Sequence, residues 1–152
     1  MLDQIDKRLL EALQEDSKQT TKLLSAKLNL SPTAVYERIK KLEKAGVIAN
    51  YSALLNKKLI GRDFMAFCQI KLIKHSKEYV TTFETQIVKL DEVLECYHIS
   101  GDYDYLLKVA VQDMEAFRHF MVTKLTTLQY IGSTHSSFTI SEVKNTTKMS
   151  LV

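Results

Sequence analysis

Tryptophan is absent, proline occurs once and glycine only four times in 152 residues. That scarcity excludes collagen-like and low-complexity architectures. It also turns Pro32 and glycines 46, 61, 101 and 132 into punctuation marks at the edges of elements. The two cysteines, Cys68 and Cys96, lie inside apolar runs without metal-ligand spacing, so free buried thiols are expected rather than a disulfide or a zinc site. His75, His98, His119 and His135 show no HxxxH-type pairing, and no metal site is expected. No nucleophile elbow, phosphate-cradling glycine loop or metal signature occurs, which argues against an enzyme and against a bound cofactor. No apolar run approaches a membrane span, and the opening MLDQIDKRLL is a charged amphipathic start rather than a signal peptide. A cytoplasmic chain is expected.

What is present is 45% apolar and 26% charged residues, enough to build a real core in one or two small domains. The net charge is only +3 but unevenly spread. Residues 1–60 carry 11 Lys/Arg against 7 Asp/Glu, residues 61–152 carry 10 against 11, and residues 31–58 carry 6 against 2. A local basic patch on a near-neutral chain favours a polyanionic partner for the first third alone.

Residues 20–46 read as two short helices joined by a tight turn. Thr20 can cap the first, with Leu23, Leu24 and Leu28 as an apolar stripe. Asn29 tolerates the left-handed backbone of a sharp turn. Ser31 and Pro32 open the second helix as hydroxyl cap and first-turn proline, Val35, Ile39 and Leu42 face inward, and Gly46 stops it. The opposite face carries Thr33, Tyr36, Glu37, Lys40, Lys41 and Lys44, a polar start followed by lysines, as insertion into a major groove requires. A helical hairpin with a solvated charged face gives the same pattern.

An earlier helix, capped by Asp3 and striped by Ile5, Leu9, Leu10 and Leu13, would complete a three-helix core. The segment VIANYSALLN after Gly46 fits a strand or wing, and residues 56–62 fit a hinge, dividing the chain into domains 1–60 and 61–152. The second domain repeats strand–helix–strand twice. Strands are expected over 63–74, 93–99, 105–111 and 136–143, and helices over 77–90 and from about Asp113 to Leu128. The result is an α+β chain whose second half is a ferredoxin-like βαββαβ domain with both helices on one face. Phe67, Tyr97 and Val111 are expected on the other face, which a second copy would cover, giving a homodimer.

The segments IDKRLLEALQED, LSPTAVYERIKKLEKAGVI, YSALLN and above all ECYHISGDYDYLLKV resemble the Lrp/AsnC, or feast/famine, family of transcriptional regulators over essentially the whole length. The resemblance implies an N-terminal winged helix-turn-helix domain with its motif at about 21–40 and a C-terminal amino-acid-sensing βαββαβ (RAM) domain. It implies double-stranded DNA and an amino-acid effector as partners, dimers that assemble to octamers, and a pocket where dimers meet. Asn29 stands where the family often has glycine. Residues 136–138, SSF, depart from the hydroxyl-plus-branched pattern of leucine sensors.

The DNA-facing set is then Thr20, Thr21, Ser31, Thr33, Tyr36, Arg38, Lys40, Lys41 and Lys44, with Arg38 closest to the core side and open to pairing with acids of its own domain. The effector set is Ser100, Gly101, Asp102, Tyr103, Asp104, Thr134 and Ser136. A free amino acid presents an ammonium that wants a carboxylate and a carboxylate that wants amides or hydroxyls. Asp104 would supply the acid, with loop amides and Thr134 or Ser136 as donors; GDYD is equally a good turn sequence. Two other functions remain open, an architectural DNA binder without effector and a stand-alone metabolite-binding ferredoxin-like module.

Overall fold

The computed structural model describes residues 2–151. Contacts divide the chain into two units, one running up to Leu54 and resuming at Val143, the other spanning Leu55–Glu142.

The first unit is a three-helix core. Helix α1 (Gln4–Glu15) starts with a capping box, in which Asp3 accepts from the Asp6 N–H at 2.7 Å and Asp6 accepts from the Asp3 N–H at 3.2 Å. Helix α2 (Thr21–Leu28) is capped by Thr20 and stopped by Asn29 at φ 60, ψ 44. An asparagine adopts this left-handed turn at small cost. Helix α3 (Pro32–Lys44) is capped by Ser31, with Pro32 in the first turn where its missing N–H is no loss. Leu9, Leu10, Leu13, Leu24, Leu28, Val35 and Leu42 form the core, with Ile39 half-buried at its edge. Leu23 departs from the expected stripe and is exposed, because the α2–α3 turn leaves only one side of this short helix covered.

Of the strand or wing expected after Gly46, no strand forms among the described residues. The Val47 and Ile48 N–H groups both turn back to the Leu42 carbonyl, and residues 49–63 contain no strand among the described residues. The C-terminal segment belongs to this first unit, where the sequence boundary at 60/61 assigns it to the second. The Gln14 side-chain amide both donates to the Met149 carbonyl at 3.0 Å and accepts from its N–H at 2.7 Å. Lys148 pairs with Glu15, and Leu151 packs on the three-helix core.

The second unit is a four-stranded antiparallel sheet in the order β2-β3-β1-β4, from β1 (Phe64–Leu72), β2 (Val93–His98), β3 (Tyr105–Val111) and β4 (Ile131–Phe138). Helices α4 (Lys77–Ile87) and α5 (Met114–Thr123) cover one face. Ala66, Cys68 and Ile70 of β1 and Tyr105, Leu107 and Val109 of β3 meet Phe83, Ile87, Phe117 and Phe120 there. Each large side chain so buried contributes about 1.5–3 kcal/mol. This is the ferredoxin-like arrangement.

Three local expectations change. The second helix ends at Thr123 and continues only as a 3-10 turn, Leu125–Thr127. The last strand begins at Ile131 instead of Ser136, since IGSTHSSF is an edge strand with almost no apolar alternation to announce it. Val111 lies in the helix-covered core, so the opposite face shows Phe67 and Tyr97 among the polar Gln69, Lys71, Lys108 and Glu95.

Candidate nucleic-acid interface and effector loop

In the first unit Thr33, Tyr36, Lys40, Lys41 and Lys44 share the exposed side of α3, with Glu37 among them. Ser31 and Thr20 spend their hydroxyl oxygens as caps, accepting from the Ala34 N–H at 3.1 Å and the Leu23 N–H at 3.2 Å, and Thr21 is half-buried in the first turn of α2. The Lys40 ammonium lies 5.8 Å from the Tyr36 ring centroid and 2.9 Å from Glu43. Tyr51 donates to the same Glu43 carboxylate at 3.1 Å.

Arg38 leaves this set. Its guanidinium lies 2.7 Å from Asp3 and 2.6 Å from Asp6, which is 3% exposed and has no other cation beside it in these contacts. The wheel position of Arg38, next to the core stripe, turns it toward the acids of α1. Those acids raise the already high guanidinium pKa, Asp3 most.

In the second unit residues 99–104 form the β2–β3 connection, with Gly101 at φ 120, a backbone that side-chain-bearing residues rarely adopt. The Ile99 N–H donates to the Asp104 carbonyl and the Asp104 N–H to the Ile70 carbonyl, both at 2.8 Å. Asp104, the acid expected to meet an effector's ammonium, is not open to solvent. It is 4% exposed; one carboxylate oxygen accepts from the Leu72 N–H at 2.7 Å and the other lies 2.6 Å from His75 Nε2. Its charge thus ties the end of β1 to the segment leading into α4. Ser100, Gly101 and Asp102 are exposed and Tyr103 is half-buried.

Thr134 and Ser136 do not face this loop. They pair with Ile70 and Cys68, so their side chains share the helix-covered side of the sheet, and the Ser136 hydroxyl lies 3.5 Å from Cys68 Sγ. Burial holds the Cys68 thiol above its ordinary pKa, in keeping with an inert core thiol. The β4 residue that approaches the loop is His135, on the other face, its ring 6.3 Å from that of Tyr103. The sequence carried no signal for His135 or His75, whose neighbours are fixed by strand pairing and loop path. Glu43, three residues after Lys40 on one helix face, was legible as a pair.

Both halves match known proteins. The winged helix-turn-helix DNA-binding model covers residues 2–49, and the Lrp/AsnC ligand-binding-domain model covers residues 65–149. The chain belongs to the Lrp/AsnC family. It is 36% identical to the leucine-responsive regulatory protein of Escherichia coli over 97% of this chain and 90% of that one. Identity reaches 40% with the Haemophilus influenzae protein of the same name, over 95% and 87%. A transcriptional regulator from Neisseria meningitidis, solved as a complex with L-Met, superposes with a TM-score of 0.94 at 34% identity, covering 98% of this chain and 96% of that one. An AsnC family regulator from Agrobacterium tumefaciens superposes at 0.93, with 34% identity over 97% and 96%. This family member is a DNA-binding transcriptional regulator with a ligand-binding domain and not an enzyme. No helix among the described residues is long and apolar enough to cross a membrane.

Proposed function

We propose that this regulator reads specific DNA sequences through α3 and that a free amino acid, bound at the 100–104 loop, biases its assembly and its DNA affinity. The exposed face of α3, with Thr33 and Tyr36 toward its N-terminal end and Lys41 and Lys44 toward its C-terminal end, is the observation that carries the reading. Thr33 and Tyr36 read base edges, while Lys41 and Lys44 hold phosphates. The L-Met bound by the Neisseria regulator supports an amino acid as effector.

Within the loop the chemistry shifts by two residues from the sequence expectation. Asp104 is committed to Leu72 and His75, which leaves the exposed Asp102 as the acid for an ammonium, with Ser100 and loop amides for the carboxylate. The working form is a homodimer through the sheet face bearing Phe67 and Tyr97, assembling to octamers in the cytoplasm with the effector held between dimers. An effector acts only by binding one assembly better than another.

Thermal shift against the twenty amino acids, followed by gel shifts with and without each hit, is the test. A hit that also changes DNA affinity supports the reading. Tight DNA binding with no hit overturns the effector and leaves an architectural DNA binder.

A further inference from the structure

The recognition helix carries a carboxylate on the edge of its basic face, and this one is held from two sides. Glu43 takes the Lys40 ammonium on one oxygen at 2.9 Å and the Tyr51 hydroxyl on the other at 3.1 Å. Its side chain is 29% exposed against 55% for Lys40, so the acid is the more enclosed partner of the pair. Tyr51 comes from the segment after α3, which also turns back to the helix through the N–H groups of Ala45, Gly46, Val47 and Ile48. Lys40 is also drawn over the Tyr36 ring, a side chain assigned above to base reading. The contacts agree with the titration directions. The Lys40 bond lowers the Glu43 pKa, and the Glu43 bond raises that of Lys40; burial first, and then Glu43, raises that of Tyr51.

We propose that Glu43 is a specificity-determining residue that withholds Lys40 from indiscriminate phosphate contact and keeps it against Tyr36. Glu43 and the DNA phosphates compete for one ammonium. An ammonium spent on a carboxylate of its own helix displaces no DNA counterion, so it adds nothing to sequence-independent binding. An exposed ion pair is weak and can be broken, but only where the docked DNA offers Lys40 a better-placed acceptor than Glu43 does. A random sequence does not meet that condition, and a matching site does. The inference rests on the major-groove docking of α3 proposed above.

The test compares wild type, Glu43→Gln, Lys40→Met and the double variant as full-length proteins on short random-sequence duplexes. Binding is measured across a salt series, and sequence preference is read by selection and sequencing of the bound pool. Glutamine keeps the size and the acceptor for Tyr51 while releasing the charge. The expected result is that Glu43→Gln raises affinity for random duplexes about three- to fivefold, steepens the log–log salt slope by about 0.9, and lowers the information content of the selected pool. In the Lys40→Met background the same change leaves the slope and the preference where Lys40→Met alone puts them. An unchanged slope in Glu43→Gln, or an equal gain in the Lys40→Met background, overturns the proposal, the latter showing a bulk charge effect. Absence of wild-type binding to any duplex would instead overturn the docking reading itself.

Discussion

The buried Asp104 carboxylate accepts a 2.7 Å hydrogen bond from the Leu72 backbone N–H, closing the end of β1 against the β2–β3 connection. An acid in a glycine-containing loop invites a ligand role, yet here its oxygens are taken up inside the unit. Asp104→Ala therefore leaves a buried amide without an acceptor, and the ligand-binding unit loses about 1–3 kcal/mol of stability. Asp104→Asn, which keeps an acceptor, loses less. Urea unfolding of the two variants checks this; an alanine variant as stable as wild type would return Asp104 to the list of available ligand acids.

Arg38→Ala acts on folding and not on DNA. The change strips the nearly buried Asp6 of its cation and costs up to about 3 kcal/mol in the three-helix core, less than a fully buried pair because Arg38 is partly exposed. The salt slope of DNA binding stays at the wild-type value, since no phosphate contact is removed. A flatter slope with wild-type stability would place Arg38 on the DNA.

The helices and caps of the first unit were legible because their signals are local. Asp3, Thr20 and Ser31 each sit immediately before a helix whose apolar stripe begins within its first turn, and Asn29 falls where a left-handed turn is needed. The inner strands were legible from their apolar runs. β4 was not, because IGSTHSSF pairs only with β1 and carries no alternation, so its start slipped by five residues and left hidden that Thr134 and Ser136 lie on the helix-covered side. The return of residues 143–151 to the first unit was equally hidden. It depends on Gln14 meeting the Met149 backbone across 135 positions of sequence, which no local pattern encodes. In the 100–104 loop, only burial distinguishes the committed Asp104 from the exposed Asp102.

Acid weakens the fold through carboxylates held in ion pairs. The Asp6 backbone N–H and then Arg38 lower the Asp3 pKa below its ordinary 3.8, and Lys108 and then Tyr97 lower that of Glu95 below 4.5. A folded pKa below the unfolded one gives stability that is complete above the ordinary values and is lost as pH falls through the lowered ones. Urea midpoints should be flat near neutrality and decline below about pH 4.5, with Asp3→Asn showing a shallower decline than wild type. Equal declines in the two proteins would contradict the role given to Asp3.

The C-terminal segment braces the DNA-binding unit. Gln14→Ala removes two hydrogen bonds to Met149, and at this exposed position the pair contributes about 1 kcal/mol. In a unit of this size that corresponds to a fall in Tm of about 4–8 °C. Calorimetry should show the loss in the transition of the three-helix unit, with that of the ligand-binding unit unmoved. A fall confined to the ligand-binding transition would show that the segment braces the other unit.

The docking proposed for α3 separates phosphate holding from base reading. Lys41→Ala with Lys44→Ala removes two exposed cations and leaves the core-facing residues of the helix in place. If each lysine holds one phosphate, the log–log salt slope falls by about 1.8, and a fourfold rise in salt then weakens binding about tenfold less than in wild type. The loss is the same on every sequence, because phosphates carry no base identity. Thr33→Ala does the reverse: Thr33 is exposed in the first turn and is not a cap, so its loss leaves the slope alone and relaxes preference at the base it contacts, about 1–3 kcal/mol for a good contact. Fluorescence anisotropy on random and selected duplexes across a salt series measures both quantities at once. A double lysine variant with the wild-type slope would move the phosphate contacts off this face of α3.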